Sequence, residues 1–577
     1  MDPQLWEEIA HGDADDEVDA IARLAPAAAP PPQMRVRARF GPIVTCRLRR
    51  ADIVPVRRHP AVRSLKAARS LPGDPESLMD PIEDLRLPSR MRRGDRRRPA
   101  VPETGRGVVI GVVDYGCDFT HPAFRRPDGG TRLLALWDQR ALPEDPAAGY
   151  LGYGRVLTRA DLDRALASDD PFAASGYDPG RAGAGHGTHV MDIAAGSSRP
   201  GQPTGVAPEA DLIFVHVASR DTGGLRNFGD SARVLEAVDF VLRQAGRRPC
   251  VLNLSMGRHG GPHDGSTLIE RALDHVARRP GRVVVQSAGN YHGQSIHAHG
   301  RMRPGGRARL GWRIAPGDST TNELEIWYPG TDRMPVRLRG PGVAPLDLPP
   351  GSRREIRLGG RVVGRAYHRL RDPGNGDTHV DLFLYPEAPP GLWHVDLAGA
   401  RILDGRWHAW VERDGTGARQ SRLVSGPIAD SHTCGTIAHG RAAITCAALD
   451  ARGRFARFSS AGPSRDGRAL PVVAARGAAV LAARAGRAGR PSRGVTRKSG
   501  TSMAAPHVAG LCALMLQARP DLTARQIRAV LARTALRLPA GPPRDGVRVA
   551  HGAARPHAAL AALRPRRGMT NQRRPRR

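Results

Sequence analysis

Two hydrophobic patterns alternate along the chain, and each predicts a different kind of structure. Residues 108–113 form a continuous apolar run, which is typical of a strand covered on both faces of a parallel sheet. Similar runs lie at residues 212–215, 251–254 and 283–285, and amphipathic stretches such as residues 231–243 separate them. Because strand and helix patterns alternate, we predict an α/β fold in which helices flank a parallel sheet.

The pattern changes to period two near residue 300. Leu324, Ile326 and Tyr328 alternate with polar positions, and five of the seven tryptophans lie between residues 312 and 410. Such alternation, broken by turn-forming residues, predicts an inserted antiparallel β-sandwich. The helix and strand patterns return near Ile437 and end in an amphipathic helix over residues 523–536.

These changes of pattern divide the chain into six segments. We expect an N-terminal helix and linker at 1–33, a small α+β unit with an arginine-rich linker at 34–100, the first part of the α/β domain at 101–299, the inserted sandwich at 300–429, the second part of the α/β domain at 430–540 and a basic disordered tail at 541–577. The arginine-dense stretch at residues 85–99 is expected to be an exposed, cleavable linker.

Composition and charge exclude or disfavour several classes of protein. The 577 residues are 40% hydrophobic and 25% charged, which excludes a wholly disordered chain. No apolar run reaches the roughly 18 residues of a membrane span, so no membrane partner is expected. The net charge of +32 comes from dispersed arginines, a distribution that does not favour nucleic-acid binding. The acidic N-terminus lacks a secretory signal, so we expect a cytoplasmic location, with non-classical export as the alternative.

Cysteines and histidines do not predict a metal or cofactor. The six cysteines are scattered without metal spacing, and Cys117 is expected to be a packed thiol. His292, His297 and His299 have no carboxylate or cysteine at ligand spacing nearby. No aspartate-rich loop allows a calcium site to be assigned. We therefore expect no cofactor; calcium is the alternative, without an assignable site.

Four polar residues stand where catalytic groups gather. Asp114 and Asn290 follow two of the apolar strands, and functional side chains of open α/β sheets lie at such strand ends. His186 begins a predicted helix, whose dipole favours a neutral imidazole suited to act as a base. Ser502 begins another helix, where unpaired backbone N–H groups stabilise an oxyanion. Together they form a candidate hydrolytic site.

The flanking sequences resemble those of the subtilisin-like serine proteases, or subtilases. Gly-Thr-Ser-Met-Ala-Ala-Pro-His at residues 500–507 matches the serine signature of that family without a gap. His-Gly-Thr-His-Val at residues 186–190 matches the histidine signature, and residues 114–116 with 121–122 match the aspartate signature. The order Asp, His, Ser is also that of the subtilases. The resemblance covers about residues 107–299 and 437–540.

The resemblance implies a role for each residue. Ser502 would be the nucleophile, His186 the general base and Asp114 its orienting partner. Asn290 would donate to the oxyanion. Ser255, Met256 and Gly257 would pair with the backbone of an extended protein or peptide substrate. A catalytically silent subtilase that binds partners through its sandwich is the alternative function.

Two further features belong to the resemblance. Residues 34–67 are similar to a subtilase propeptide, which implies a zymogen whose own N-terminal unit blocks the cleft; an accessory domain is the alternative. Tyr115 stands where Ser or Thr is common in the family, and residues 471–477 lack the usual Asp and second Pro. The tyrosine and the large insert look like those of the clostridial germination subtilases, whose insert is a jelly roll.

Overall fold

The computed structural model describes residues 1–72, 95, 97–141, 149–180, 185–218, 227–414, 420–486, 490–539 and 546–564. The described chain has three parts. The N-terminal unit is residues 1–72, the sandwich is residues 297–425, and the parallel-sheet domain is the rest of the described chain.

The N-terminal unit is built on an antiparallel sheet with the strand order β2-β3-β1-β4. Its strands are β1 (Glu17–Leu24), β2 (Arg35–Phe40), β3 (Ile43–Arg49) and β4 (Val62–Ala67). Helices α1 (Pro3–Ala10) and α2 (Ile53–Arg58) cover it, and a 3-10 turn (Arg50–Asp52) precedes α2. A further short strand, β5 (Ser70–Pro72), leaves this sheet and pairs with β10 (Asn227–Asp230) of the parallel-sheet domain.

The predicted boundary at residue 33 is wrong. Strand β1 lies inside this sheet and pairs with both β3 and β4. Val18, Ala20 and Leu24 pack into the core of the unit, whereas Ile21 faces the opposite way and packs on the parallel-sheet domain. Because both faces of β1 are covered, the segment belongs to the folded unit and is not part of a linker.

The parallel-sheet domain confirms the predicted fold class. In the described chain its sheet has the order β25-β24-β12-β11-β6-β9-β7-β8, and only β8 runs antiparallel to its neighbour. The strands are β6 (Val109–Asp114), β7 (Leu133–Asp138), β8 (Arg155–Thr158), β9 (Asp211–His216), β11 (Cys250–Leu254), β12 (Arg282–Ser287), β24 (Ile444–Leu449) and β25 (Val473–Arg476). A ribbon of β26 (Val480–Ala483) and β27 (Val495–Lys498) lies outside the sheet.

Helices cover both faces of this sheet. They are α3 (Arg159–Leu166), α4 (Pro171–Ser175), α5 (His186–Ala195), α6 (Ser231–Ala245), α7 (Leu268–Ala277), α8 (Thr501–Ala518), α9 (Ala524–Thr534) and α10 (Pro556–Ala561), with a 3-10 turn at Pro122–Phe124. Helices α5 and α8 share one hydrophobic core, and α6 and α7 share the other. Among the described residues, no helix is both long and apolar enough to cross a bilayer.

The insert is an antiparallel β-sandwich, as predicted. One sheet has the order β13-β22-β15-β20-β19-β18 and the other β17-β16-β21-β14-β23. The strands are β13 (His297–Arg301), β14 (Arg307–Ile314), β15 (Asn322–Tyr328), β16 (Val336–Arg339), β17 (Leu346–Leu348), β18 (Arg353–Leu358), β19 (Arg361–Arg369), β20 (Thr378–Leu384), β21 (Gly391–Ala398), β22 (Arg406–Val411) and β23 (Arg422–Ser425). Trp312, Trp393 and Trp407 fill the core between the sheets.

The expected tail and linker need correction where they are described. Residues 546–564 are not disordered, because Ala559 and Leu560 of α10 are buried in the core that contains α8. Residues 541–545 and 565–577 lie outside the described residues. The predicted cleavable stretch, residues 85–99, also lies largely outside them.

Two described residues of that arginine-rich stretch are not solvated. Asp95 is buried and forms an ion pair with Arg497 at 2.7 Å. Arg97 forms an ion pair with Asp192 at 3.2 Å, and its side chain is 3% exposed. The stretch is therefore anchored to the parallel-sheet domain at these positions.

Candidate active site

Asp114 and His186 form a buried pair at the end of the central strand. Asp114 is the last residue of β6 and His186 is the first residue of α5. The His186 Nδ1 lies 2.7 Å from Asp114 Oδ1, which also accepts the Tyr115 backbone N–H at 2.7 Å. Both side chains are almost fully buried. A carboxylate at this nitrogen holds the proton there and leaves Nε2 as the basic atom.

The loop after Asp114 is fastened to the start of α5. The backbone N–H groups of Gly187 and Thr188 donate to the carbonyls of Tyr115 and Gly116 at 2.7 and 2.9 Å. A side chain at position 187 would lie 2.5 Å from the Phe214 ring, so this close approach requires glycine. These contacts explain why the local sequence brings the carboxylate and the imidazole together.

Tyr115 contacts the imidazole directly. Its ring stacks on that of His186, with centroids 5.3 Å apart and planes 11° from parallel. The sequence singled out this residue as a departure from the common Ser or Thr, and the contact shows what it adds. Tyr115 covers one face of the base and limits rotation of its ring.

Ser502 lies on the first turn of α8 and is 3% exposed. Its hydroxyl donates to the Ser255 carbonyl at 3.4 Å, and the Ser255 hydroxyl donates to the Ser502 carbonyl at 3.2 Å. The structure therefore brings Ser502 to the segment that was expected to bind substrate. In this state the hydroxyl hydrogen bond goes to Ser255 and not to the imidazole of His186; such bonds often form only when substrate is bound.

Helix α8 approaches α5 closely at a glycine. A Cβ on Gly510 would lie 2.7 Å from the Ala194 carbonyl oxygen and 2.5 Å from Val206 Cβ. Since α5 carries His186 and α8 carries Ser502, this contact sets the separation of the two functional helices. Sequence analysis did not identify Gly510, because a glycine inside a helix has no local signal of close packing.

Asn290 is oriented by Thr501. The Asn290 Oδ1 accepts the Thr501 backbone N–H at 2.8 Å and the Thr501 hydroxyl at 3.0 Å. In turn, Thr501 Oγ1 accepts the Gly289 backbone N–H at 3.0 Å. These two bonds hold the oxygen of the amide, whose Nδ2 is a hydrogen-bond donor. Sequence analysis missed the positioning contact of Thr501.

A small concave space lies beside these residues. Its lining comes from the expected substrate segment, from the end of β12, from the sandwich and from the loop before β24: Met256, Gly257, Ser287, Gly289, Tyr291, Arg413 and Gly435. Met256 and Gly257 were predicted to bind substrate, and the structure places them at this cavity. Arg413 was not predicted, because it belongs to the inserted sandwich.

Three groups of side chains have the composition of metal ligands among the described residues. The two carboxylate-rich groups share Glu325 and contact arginines: Arg69 lies 2.6 Å from Glu323, and Arg258 lies 3.2 Å from Glu325. The two arginines offset part of the charge of the four carboxylates in these two groups. The third group consists of His297, His408 and His432.

Comparison with known proteins identifies the family. The model of the subtilase family, peptidase S8, matches residues 105–562, so the chain belongs to the subtilase family. The subtilisin-like protease PopC of Myxococcus xanthus is 35% identical over 185 residues, which are 30% of this chain and 31% of PopC. The minor extracellular protease Vpr of Bacillus subtilis is 24% identical over 447 residues, which are 75% of this chain and 49% of Vpr. The chain spans less than half of the length of these relatives.

A solved structure shows the same fold. The CspB protease of Clostridium perfringens superposes with a TM-score of 0.70 at 24% identity, covering 82% of this chain and 96% of CspB. The resemblance to subtilases, including clostridial ones, is thus confirmed at the level of family and fold.

Proposed function

We propose that this subtilase is a serine endopeptidase that cleaves protein substrates through an acyl-enzyme at Ser502. The observation that carries the proposal is the buried Asp114–His186 pair at 2.7 Å, next to the helix that carries Ser502. A paired, buried imidazole of fixed tautomer is the base that a serine nucleophile needs. The membership of the family supports the same chemistry.

The proposed reaction gives each of these groups a role. His186 Nε2 takes the Ser502 proton as the hydroxyl oxygen attacks the peptide carbonyl, and then returns it to the leaving amine. The Asn290 amide and the Ser502 backbone N–H donate to the oxyanion of the tetrahedral intermediate. Before attack, the Ser502 hydroxyl has to exchange its bond to the Ser255 carbonyl for one to His186.

A fluorophosphonate probe tests the nucleophile. We expect the full-length protein to be labelled and Ser502→Ala not to be labelled. Ser499→Ala is the matched control, because that serine lies three residues earlier and its oxygen accepts the Ala479 backbone N–H at 2.8 Å. If neither the folded full-length protein nor a folded version that starts at Val101 is labelled, the endopeptidase proposal fails and the silent, partner-binding function takes its place.

We further propose that the N-terminal unit acts as a propeptide that remains docked. Its Ile21, Phe40 and Ile43 pack into the same core as α6 and α7. Its C-terminal strand β5 pairs with β10. On the sandwich side, Lys66 forms an ion pair with Asp372 at 2.6 Å.

A comparison of labelling rates tests this inhibitory role. A version of the protein that starts at Val101 should react with the fluorophosphonate probe faster than the full-length protein. Equal rates for the two folded forms would make the N-terminal unit an accessory domain.

A further inference from the structure

Four imidazoles gather where the sandwich meets the parallel-sheet domain, outside the candidate active site. His297 and His299 lie on β13, and His408 lies on β22 directly opposite His299. His432 comes from the parallel-sheet domain, and its ring centroid lies 4.8–5.4 Å from those of the other three. The cluster therefore joins two parts of the fold.

The nitrogen atoms of three of these rings converge. The ligand atoms of His297, His408 and His432 all lie within 4.8 Å of one another, and His297 Nε2 lies 3.1 Å from His408 Nδ1. Two nitrogens bound to one tetrahedral zinc ion are about 3.3 Å apart, given Zn–N distances of about 2.0–2.1 Å. We propose that His297, His408 and His432 bind a divalent transition-metal ion, Zn²⁺ in the first place, at this junction.

The protonation of the cluster suits a metal. Burial, reinforced by neighbouring imidazoles, lowers the pKa of His297 and His408 well below the ordinary value, and burial lowers that of His432 to about 4. The rings are therefore neutral at pH 7, which is the form that binds metal. Imidazole ligands without carboxylates select zinc, copper or nickel over magnesium and calcium.

His432 is held in position by its neighbours. Its Nδ1 lies 3.0 Å from the Ser431 hydroxyl, which leaves Nε2 as the ligand atom. The Trp410 indole N–H donates to the His432 carbonyl at 3.0 Å. The backbone of His432 has a φ of 57°, in the left-handed region that residues other than glycine seldom adopt. Water would complete the coordination of a bound ion.

The positive charge beside the cluster is already compensated. Arg465 contributes to the lowered pKa of His408 and His432. Its guanidinium forms ion pairs with Asp264 at 2.9 Å and with Asp377 at 2.5 Å. A bound cation therefore does not face an unpaired arginine there.

The site would fasten the sandwich to the parallel-sheet domain. Two ligands come from the sandwich strands, and the third lies three residues before Gly435, which lines the cavity beside the candidate active site. The sequence could not indicate this grouping, because His408 and His432 are 111 and 135 residues from His297.

Metal titration of the full-length protein tests the site. The Ser502→Ala background prevents self-cleavage and makes the result independent of the proposed activity. After treatment with a chelator and dialysis, the protein is titrated with Co²⁺, and Zn²⁺ is then added as a competitor. We expect one Co²⁺ per chain with the intense visible absorption of a tetrahedral site, displaced by one equivalent of Zn²⁺.

Histidine variants locate the binding. His297→Gln, His408→Gln and His432→Gln should each weaken Co²⁺ binding by at least about 100-fold. Even mutation of a residue that only hydrogen-bonds to a metal ligand lowers metal affinity about 10–100-fold. His394→Gln on β21, in the other sheet of the sandwich, is the matched control and should bind like the parent. Circular dichroism of the metal-free proteins verifies folding, and the partly exposed His432 provides a variant that keeps the core intact.

The outcomes separate metal binding from simple packing of stacked rings. Absence of a visible band in the folded parent overturns the proposal. Equal affinity of the parent and the folded His432→Gln variant overturns it as well.

Discussion

Arg47 is the central residue of the contact between the N-terminal unit and α6. It is 2% exposed, and its guanidinium makes two hydrogen bonds to the Glu236 carboxylate, at 3.0 and 3.1 Å. It also forms an ion pair with Asp19 of its own unit. Glu236 is fully buried, so loss of Arg47 leaves a carboxylate with fewer partners in the interior.

We predict that Arg47→Met loosens the N-terminal unit. Removal of one partner from a buried ion pair costs about 3–5 kcal/mol. We expect the lower end of this energy range, because both carboxylates retain a partner in the variant. Glu236 still accepts a hydrogen bond from the Tyr153 hydroxyl at 2.6 Å, and Asp19 still pairs with Arg233 at 3.4 Å. A cost of about 3 kcal/mol corresponds to roughly a 100-fold change in an equilibrium constant.

Hydrogen exchange followed by mass spectrometry measures this effect. In the Ser502→Ala background, protection of amides in residues 17–49 should fall roughly 100-fold for Arg47→Met. Arg49→Met is the matched control, since Arg49 lies on the same strand, is 58% exposed and pairs with Asp52 at the surface; such exposed pairs are worth about 0–1 kcal/mol. Unchanged protection in Arg47→Met, or an equal loss in Arg49→Met, would refute the reasoning.

Three further predictions concern the site and its support. Asn290→Ala should lower turnover about 10²–10³-fold in a peptide-hydrolysis assay, the range for loss of one oxyanion donor, and an unchanged turnover would exclude this role. Gly510→Ala should destabilise the protein by about 1–3 kcal/mol in denaturant unfolding and slow fluorophosphonate labelling, because the added Cβ lies 2.7 Å from the Ala194 carbonyl oxygen. Unchanged stability and an unchanged labelling rate would show that α5 and α8 can move apart at little cost. Burial raises the pKa of Glu270 from its ordinary 4.5 to about 7, so the folded state holds this proton more tightly than the unfolded state does. Its contribution to stability is therefore complete below about pH 4.5 and is lost as the pH rises towards 7. Between pH 4.5 and 7, the free energy of unfolding of Glu270→Gln should fall by roughly 1–3 kcal/mol less than that of the parent. Parallel pH profiles of the two proteins would show that Glu270 does not titrate with a raised pKa.

Local sequence patterns were sufficient to predict the strands and helices that carry the candidate active site. The apolar run at residues 108–113 became β6, and the carboxylate at its end lies where parallel strands of α/β sheets place functional groups. The period-two region became the sandwich, with Trp312, Trp393 and Trp407 in its core. These features were predictable because a buried strand or helix produces a pattern of hydrophobic residues at neighbouring positions of the chain.

The N-terminal unit shows where local patterns fail. The alternation of small apolar residues in β1 is equally compatible with a short helix, and only pairing with β3 and β4 makes it a strand. Likewise, the stretch around residue 97 appears solvated by composition, yet Arg97 is buried because Asp192 lies opposite it in the folded protein.

By itself, the sequence determined the fold class, the subtilase family and the identity of the candidate catalytic groups, because each depends on short motifs and local periodicity. The tertiary structure alone decided the stacking of Tyr115 on His186, the orientation of Asn290 by Thr501 and the meeting of Arg47 with Glu236. It also brought His297, His408 and His432 together. The physical reason is that no local pattern encodes which distant side chains will share a buried site; that depends on how sheets and helices pack.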